Sequence, residues 1–229
     1  PRLRQLFWRY STYVGSSPLQ TPATLMLIAL FEQSGVWMID GGMCALASSL
    51  QRLGERQGAD FQFSREVSEI RIDRGSARGL LMADGERIDV DCVVFNGDVS
   101  ALGNGFLGNA VRGAVSPVAP WQRGLSAVTW CIRGKPRGFS LHYHNVFFDR
   151  DYAREFETLF RDREIVAQPT VYVCAQDRVS GEGPGGPERL LVLINAPAEG
   201  DSRQWPAEML ERLRERAFSV LSACGLEID

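Results

Sequence analysis

The residues best suited to chemistry lie in short, separate stretches. Gly41-Gly42 stands directly before an amphipathic run. Backbone at such a helix start is bare and can approach a phosphate or a carbonyl closely, though a plain structural turn uses a glycine pair in the same way. Val67 opens the extended run Val67-x-x-Ile70. Its main chain could pair with the edge of an adenine without help from a side chain, and a valine in a strand serves equally as core. His142-Tyr143-His144 would put both histidines on one face of a strand, as two metal ligands or as a general base. No third Cys, His or carboxylate is placed beside them, so no metal site is expected. Residues 181–187 are glycine-rich but lack the Lys-Ser/Thr that completes a phosphate loop. The stretch Arg9-Tyr-Ser-Thr-Tyr-Val-Gly-Ser-Ser-Pro18 gathers Tyr10, Tyr13, Ser16 and Ser17 beside an apolar run. These could line a pocket for an apolar ligand with one polar end, or act as caps and loop packing. No Gly-x-Ser-x-Gly, Walker loop or His-Glu-x-x-His occurs.

The elements that must hold these stretches are legible from periodicity. Leu3, Leu6, Phe7 and Tyr10 repeat at helical spacing over residues 1–13, and Gly15 to Pro18 end that helix. Thr21-Pro22 fits an N-cap followed by a first-turn proline, opening a buried helix over residues 23–31. Gly35 breaks it, and residues 36–39 read as a short strand. After Gly41-Gly42, Met43, Leu46, Leu50 and Leu53 form one apolar helix face. Residues 61–63 read as a short strand. Residues 67–73 form a strand with imperfect alternation, residues 74–76 a hairpin turn, and residues 77–83 the return. Asp84-Gly85 turns again, and residues 90–95 are nearly all apolar, as in a strand covered on both faces. Residues 100–120 read as a loop with one short helix. Strands follow over 124–132, 142–148, 170–175 and 190–195, with a short charged helix over 152–162. A strong amphipathic helix over 206–224 closes the pattern, with Met209, Leu210, Leu213, Ala217, Val220 and Leu221 on one side.

Composition narrows the class. At 45% hydrophobic and 23% charged residues the chain is a folding sequence, and its net charge of −3 argues against a general nucleic-acid partner. Lys135 is the only lysine, which reflects coding composition more readily than anion binding. Cys44, Cys92, Cys131, Cys174 and Cys224 are widely spaced and odd in number, which supports neither a zinc site nor a disulfide framework. Reduced, mostly buried thiols in a cytoplasmic protein are expected. The longest apolar run, residues 25–31, is far too short to span a bilayer, which leaves surface association open.

As an ordered set, these stretches resemble the phytoene desaturase family of carotenoid desaturases, within the wider group of FAD-dependent amine-oxidase-like proteins. The resemblance rests on residues 9–18 with Pro22-Ala-Thr-Leu25, on Gly41-Gly-Met-x-x-Leu46-x-x-x-Leu50 and on Val67-x-x-Ile70. It rests further on Asp91-x-Val-Val-x-Asn96-x-Asp98, His144-Asn-Val-Phe-Phe148, Asp151-Tyr152, and Asp201 with Trp205. Tyr-Val-Gly-Ser-Ser-Pro is most similar to the hydroxycarotenoid 3,4-desaturase branch, also called methoxyneurosporene dehydrogenases.

The resemblance implies an α/β fold, α+β in the part present. A substrate domain with a mixed sheet and covering helices would occupy residues 1–35 and 101–229, and part of an FAD-binding domain residues 36–100. It places the Val67 backbone at the adenine, Gly41 and Gly42 where the chain crosses back toward flavin or substrate channel, and Tyr10, Tyr13, Ser16 and Ser17 toward substrate. The family's strand, Gly-x-Gly-x-x-Gly loop and helix, and its last flavin-contacting segment, have no counterpart here. A central fragment is therefore expected, inactive alone and without bound FAD. The implied activity removes two hydrogens from a long apolar polyene, hydride passing to flavin, at the inner membrane surface. A carotenoid isomerase or saturase, or a stand-alone isoprenoid-binding module without redox activity, are the competing readings.

Overall fold

The structure is a computed structural model and describes residues 2–116, 118–179 and 181–229. Pro1 of the expected first helix and Pro117 of the expected loop lie outside the described residues. Contacts between Cα atoms divide the chain into two units, Pro1–Met38 with Pro120–Asp229, and Ile39–Ala119.

The larger unit begins with α1 (Arg2–Trp8), which tightens into a 3-10 turn over Arg9–Val14 and ends at Gly15 in the left-handed region, φ 63°. A second 3-10 turn, Ala23–Met26, leads into α2 (Leu27–Gln33). The expectation of a buried helix here is overturned: Leu27 is 52%, Leu30 56% and Phe31 71% exposed. The apolar stripe exists, but α2 packs chiefly on the short turns beside it, which cover too little of its surface. The expected strand over residues 36–39 is absent as well. Those residues pair with no neighbouring strand, and Val36 and Trp37 are exposed.

The smaller unit starts with α3 (Gly42–Arg56) and continues as an antiparallel meander, β1 (Val67–Asp73), β2 (Ser76–Met82) and β3 (Arg87–Asp89). The β1–β2 turn uses Arg74 at φ 50° and Gly75 at φ 79°, the left-handed pair that matches strand twist in a tight hairpin. Two register shifts in β1, between Val67 and Glu69 and between Arg71 and Ile72, account for its imperfect alternation. The apolar run over residues 90–95 is not a strand. Val90 donates one more hydrogen bond to Arg78, then the chain leaves the sheet and Val94 is 90% exposed. A strand covered on both faces needs partners that the described residues of this unit do not supply. Residues 61–63 are likewise unpaired, and Phe61 and Phe63 stack on each other instead. The chain then forms α4 (Val99–Gly103), N-capped by Asp98, whose carboxylate accepts from the Ser100 amide at 2.8 Å. Leu102 and Val111 pack on Ile70, and the Ile70 amide donates to the Leu107 carbonyl at 3.0 Å. These contacts join residues 101–119 to this unit.

The rest of the larger unit is a mixed layer of helix and antiparallel sheet. It comprises β4 (Ser126–Gly134), β5 (Pro136–Gly138), β6 (His144–Phe147), α5 (Tyr152–Glu157), β7 (Val171–Ala175), β8 (Glu188–Ala196), α6 (Ala207–Ala223) and β9 (Leu226–Ile228). The main sheet runs β4-β8-β7-β6, and β5 pairs with β9. Opposition of Val173 and Val192 puts Val171, Val173, Ala175, Leu190, Val192, Ile194 and Ala196 on one face. Leu213, Ala217 and Leu221 of α6 close over that face, forming the core with Leu141, Phe147 and Leu159. The other face carries Tyr172, Cys174, Leu191 and Leu193, and is only partly covered.

Candidate functional site

In the segment singled out beside α1, a three-residue turn period brings Tyr10 and Tyr13 to the same side. Their rings stack with centroids 5.9 Å apart. Both phenols donate to one carboxylate, Tyr10 to Glu32 Oε2 at 2.8 Å and Tyr13 to Glu32 Oε1 at 3.2 Å. Hydrogen bonding to Glu32, then burial, holds the Tyr10 phenol above its ordinary range, and burial does the same for Tyr13. The Gly15 carbonyl accepts from the Leu125 amide at 2.7 Å. A Cβ on Gly124 would stand 3.0 Å from that carbonyl, and one on Gly15 would stand 3.0 Å from the Leu125 nitrogen. Glycine at both positions lets the backbones meet.

The two serines shape the turn. Ser17 is buried, its hydroxyl accepts from the Leu19 amide at 3.2 Å, and its carbonyl accepts from the Thr21 hydroxyl at 2.7 Å. The Ser16 amide donates to the Ser11 carbonyl. Beside them lies an open cleft of about 270 Å³ whose walls include Phe7, Trp8, Tyr10, Pro18, Leu25 and Met26. Tyr10 lines it, whereas Tyr13, Ser16 and Ser17 do not. The sequence offered no sign of Glu32, which lies 22 residues from Tyr10 and joins it only through the turn between α1 and α2.

On the partly covered sheet face, His144 Nδ1 lies 2.7 Å from the Tyr172 hydroxyl and the rings stack at 6.0 Å. The Arg9 guanidinium sits 5.8 Å from the Tyr172 ring centre. Burial first, and then the Cys174 thiol, push the Tyr172 phenol above its ordinary range. His142 is not its strand-face partner. It lies before β6, where its amide donates to Asn145 Oδ1 and its carbonyl accepts from Asn145 Nδ2. That closed turn removes His142 from the ladder. Among the described residues no group of His, Cys, Asp and Glu could hold a metal ion. The thiols depart from expectation: Cys44, Cys92, Cys131 and Cys224 are exposed, and Cys174 alone is buried. Each exposed one sits on a helix face, edge strand or loop that its own unit leaves uncovered.

In the smaller unit, Gly41 at φ 81° and Gly42 at φ 74° form the entry to α3. The Gly42 amide donates to the Ile39 carbonyl at 2.8 Å, and a Cβ built on Gly42 would meet nothing within 4 Å. Bare backbone thus faces open space at a helix start. Val67 is half-buried at the start of β1, opposite Met82 and next to a bulge. Residues 103–108 spell Gly-x-Gly-x-x-Gly, but the first glycine ends α4 rather than following a strand. A dinucleotide loop needs the strand before and the helix after. Residues 181–187 connect β7 to β8 and open no helix.

Residues 1–200 match the family described as flavin containing amine oxidoreductase. The chain is 48% identical over 230 residues to a hydroxyneurosporene desaturase of Rubrivivax gelatinosus, covering 100% of this chain and 44% of that protein. It is 40% identical over 228 residues to a hydroxyneurosporene desaturase of Cereibacter sphaeroides, covering 100% of this chain and 45% of that protein. A 1-hydroxycarotenoid 3,4-desaturase of a Flavobacterium species is 31% identical over 231 residues, covering 100% of this chain and 46% of that protein. The chain spans less than half the length of these relatives. With four-fifths or more of its residues inside the family match, the chain belongs to the flavin containing amine oxidoreductases.

Proposed function

We propose that this chain is the central part of an FAD-dependent carotenoid desaturase that introduces C=C bonds into a hydroxylated or methoxylated polyene. The observation that carries this reading is the 48% identity, along the whole chain, to a hydroxyneurosporene desaturase. When bound, flavin supplies an acceptor for the hydride that leaves a saturated C–C bond. The chain's own residues bind and orient. Gly42 leaves open space at the start of α3, where a built Cβ meets nothing within 4 Å, and Val67 opens β1 at the edge of its sheet, so these are the positions of the smaller unit that would face the group. The larger unit would hold the polyene, with Tyr10, Tyr13, Ser16 and Ser17 in the segment that forms the cleft.

The test is product analysis of the full reading frame expressed beside a hydroxylated carotenoid. Added conjugation, seen as a red-shifted absorption spectrum and a mass loss of two hydrogens per new bond, is expected. Isomers without new double bonds would replace this reading by an isomerase, and products gaining hydrogen by a saturase. For the chain alone we expect a colourless preparation. Every strand pair among the described residues is antiparallel, so none supplies the strand, loop and helix that cradle a pyrophosphate. Flavin absorbance at about 450 nm that co-elutes with the chain would contradict this.

Residence on the cytoplasmic membrane surface belongs to the same proposal. It is supported by exposed Leu3, Leu6, Leu27 and Phe31 in the N-terminal helices. No helix among the described residues is long and apolar enough to cross a membrane.

A further inference from the structure

We propose that His144 takes up the proton that leaves the polyene as its new double bond forms, with Tyr172 as the residue that positions the imidazole. This rests on the desaturase reading, which supplies the reaction. Desaturation breaks two neighbouring C–H bonds. One hydrogen leaves as hydride and reduces the flavin by two electrons. The other leaves as a proton, and the electron pair of its bond becomes the second bond of C=C. That proton needs a base, and an imidazole is the side chain whose ordinary range suits the task near neutral pH.

The way the ring is held carries the assignment. His144 Nδ1 lies 2.7 Å from the Tyr172 hydroxyl, and the Tyr143 ring stands edge-on with its centre 4.7 Å away. Cys174, directly opposite His144 in the ladder, decides the direction of the first contact. Burial first, and then hydrogen bonding to that thiol, hold the Tyr172 phenol above its ordinary range. A phenol has one proton, so with that proton turned to sulfur its oxygen accepts from Nδ1–H. This tautomer leaves the lone pair on Nε2. Among the described residues Nε2 has no hydrogen-bond partner, and His144 is exposed. Once Nε2 takes a proton, the Nδ1–H bond to Tyr172 becomes charge-assisted and strengthens. Val146, Leu191 and Leu193 lie half-buried on the same sheet face, apolar surroundings that suit a hydrocarbon. Glu188, Glu199 and Asp201 of this unit are each paired with an arginine, and Glu155 is sealed from the surface. The titratable and charged groups around the imidazole are Tyr143, Tyr172, Cys174 and Arg9, with Arg189 beyond Tyr143 and paired to Asp177.

The experiment uses the full-length holoenzyme, mixed without oxygen with a hydroxylated polyene while bleaching of the flavin is followed. His144→Ala is expected to slow flavin reduction roughly 100-fold, the ordinary worth of a general base, with polyene binding by tryptophan fluorescence quenching unchanged. The acid limb of the wild-type pH profile, where the imidazole is already protonated, should vanish in this variant. Added imidazole should restore roughly ten-fold of the lost rate. Tyr172→Phe should keep the acid limb and lose part of the rate. Nitrogen NMR of the histidine-labelled protein, with the His144 signal assigned by its loss in the variant, reads the tautomer independently of turnover. Nδ1–H with a bare Nε2 is expected, and the reverse tautomer overturns the proposal. A His144→Ala enzyme that reduces flavin within about three-fold of wild type overturns it too. So does a slow variant with an unchanged pH profile and no rescue by imidazole, since that is a structural role. A wild type that makes no new double bonds sinks the desaturase reading. An active wild type beside an equally active variant sinks the proton role alone.

Discussion

Arg178→Ala is expected to lower the unfolding free energy by about 3–5 kcal/mol, the cost of leaving one partner of a buried ion pair alone. Glu188 is 2% exposed at the start of β8. Its two oxygens accept from Arg178 Nε at 2.8 Å and Nη2 at 2.7 Å, a two-point pairing. Arg178 Nη1 also donates to the Leu141 carbonyl at 3.0 Å, so one guanidinium ties the end of β7, the start of β8 and the approach to β6. Without it, Glu188 must either ionise in a dry site or take up a proton. The double substitution Arg178→Met with Glu188→Leu removes both charges and should recover most of the loss, because apolar residues of similar volume replace the pair at little cost. Urea unfolding of the single and double variants measures this. A single variant within about 1 kcal/mol of wild type would show that the pair is open to water and contributes as a surface bridge does.

The second large effect is a pH dependence centred on Glu155. This α5 carboxyl is 1% exposed and accepts from the Thr170 amide at 3.3 Å and from the Thr170 hydroxyl. Burial pushes its pKa up to about 7 from an ordinary 4.5, with nearby Asp149 acting in the same direction and the Thr170 bonds opposing. Below pH 4.5 the carboxyl is neutral in both folded and unfolded chains and costs nothing. Between 4.5 and about 7 only the unfolded chain ionises, so the unfolded state gains and stability falls as pH rises. Above about 7 the cost is complete, roughly 3 kcal/mol at about 1.4 kcal/mol per pH unit. Glu155→Gln removes this slope while keeping an acceptor for Thr170. The stability difference between variant and wild type should therefore move by roughly 3 kcal/mol in the variant's favour from pH 4.5 to pH 8. Parallel pH profiles for the two proteins would refute a raised Glu155 pKa.

Both effects belong to the scaffold that presents the partly covered sheet face. Arg178 and Glu188 brace one end of β7 and β8, and Glu155 reaches across to Thr170 at the other end of β7. Tyr172, His144 and Arg9 are displayed between these braces. Loosening either brace should therefore disturb that face before it disturbs the cleft beside α1.

Much of the fold was legible in short stretches of sequence. β4 alternates in burial along most of its length and β8 does so from Glu188 to Ile194, because one face of the sheet is packed against the core that α6 closes. The helix over residues 207–223 shows its 3.6-residue period for the same reason. The β1–β2 turn was readable from Arg74-Gly75, since few residues tolerate positive φ. Each of these signals spans fewer than about 20 residues and reports a local constraint. β5 and β9 escaped notice because three-residue strands carry no period, and their pairing joins Pro136 to Ile228 across most of a domain.

The candidate site divides along the same line. Gly41-Gly42, Val67 and the Tyr10–Ser17 stretch could be picked out because backbone freedom and residue type are local properties. Their chemistry could not, because it depends on which groups arrive from elsewhere. Glu32 reaches Tyr10 and Tyr13 through a turn, His142 loses its place beside His144 to an Asn145 turn, and Glu188 finds Arg178 around a loop. Burial followed this rule too. The apolar stripes of α2 and α3 were correctly placed by spacing, yet Phe31 and Met43 are about 70% exposed. Periodicity records which face of an element is apolar, and packing alone establishes what, if anything, covers it.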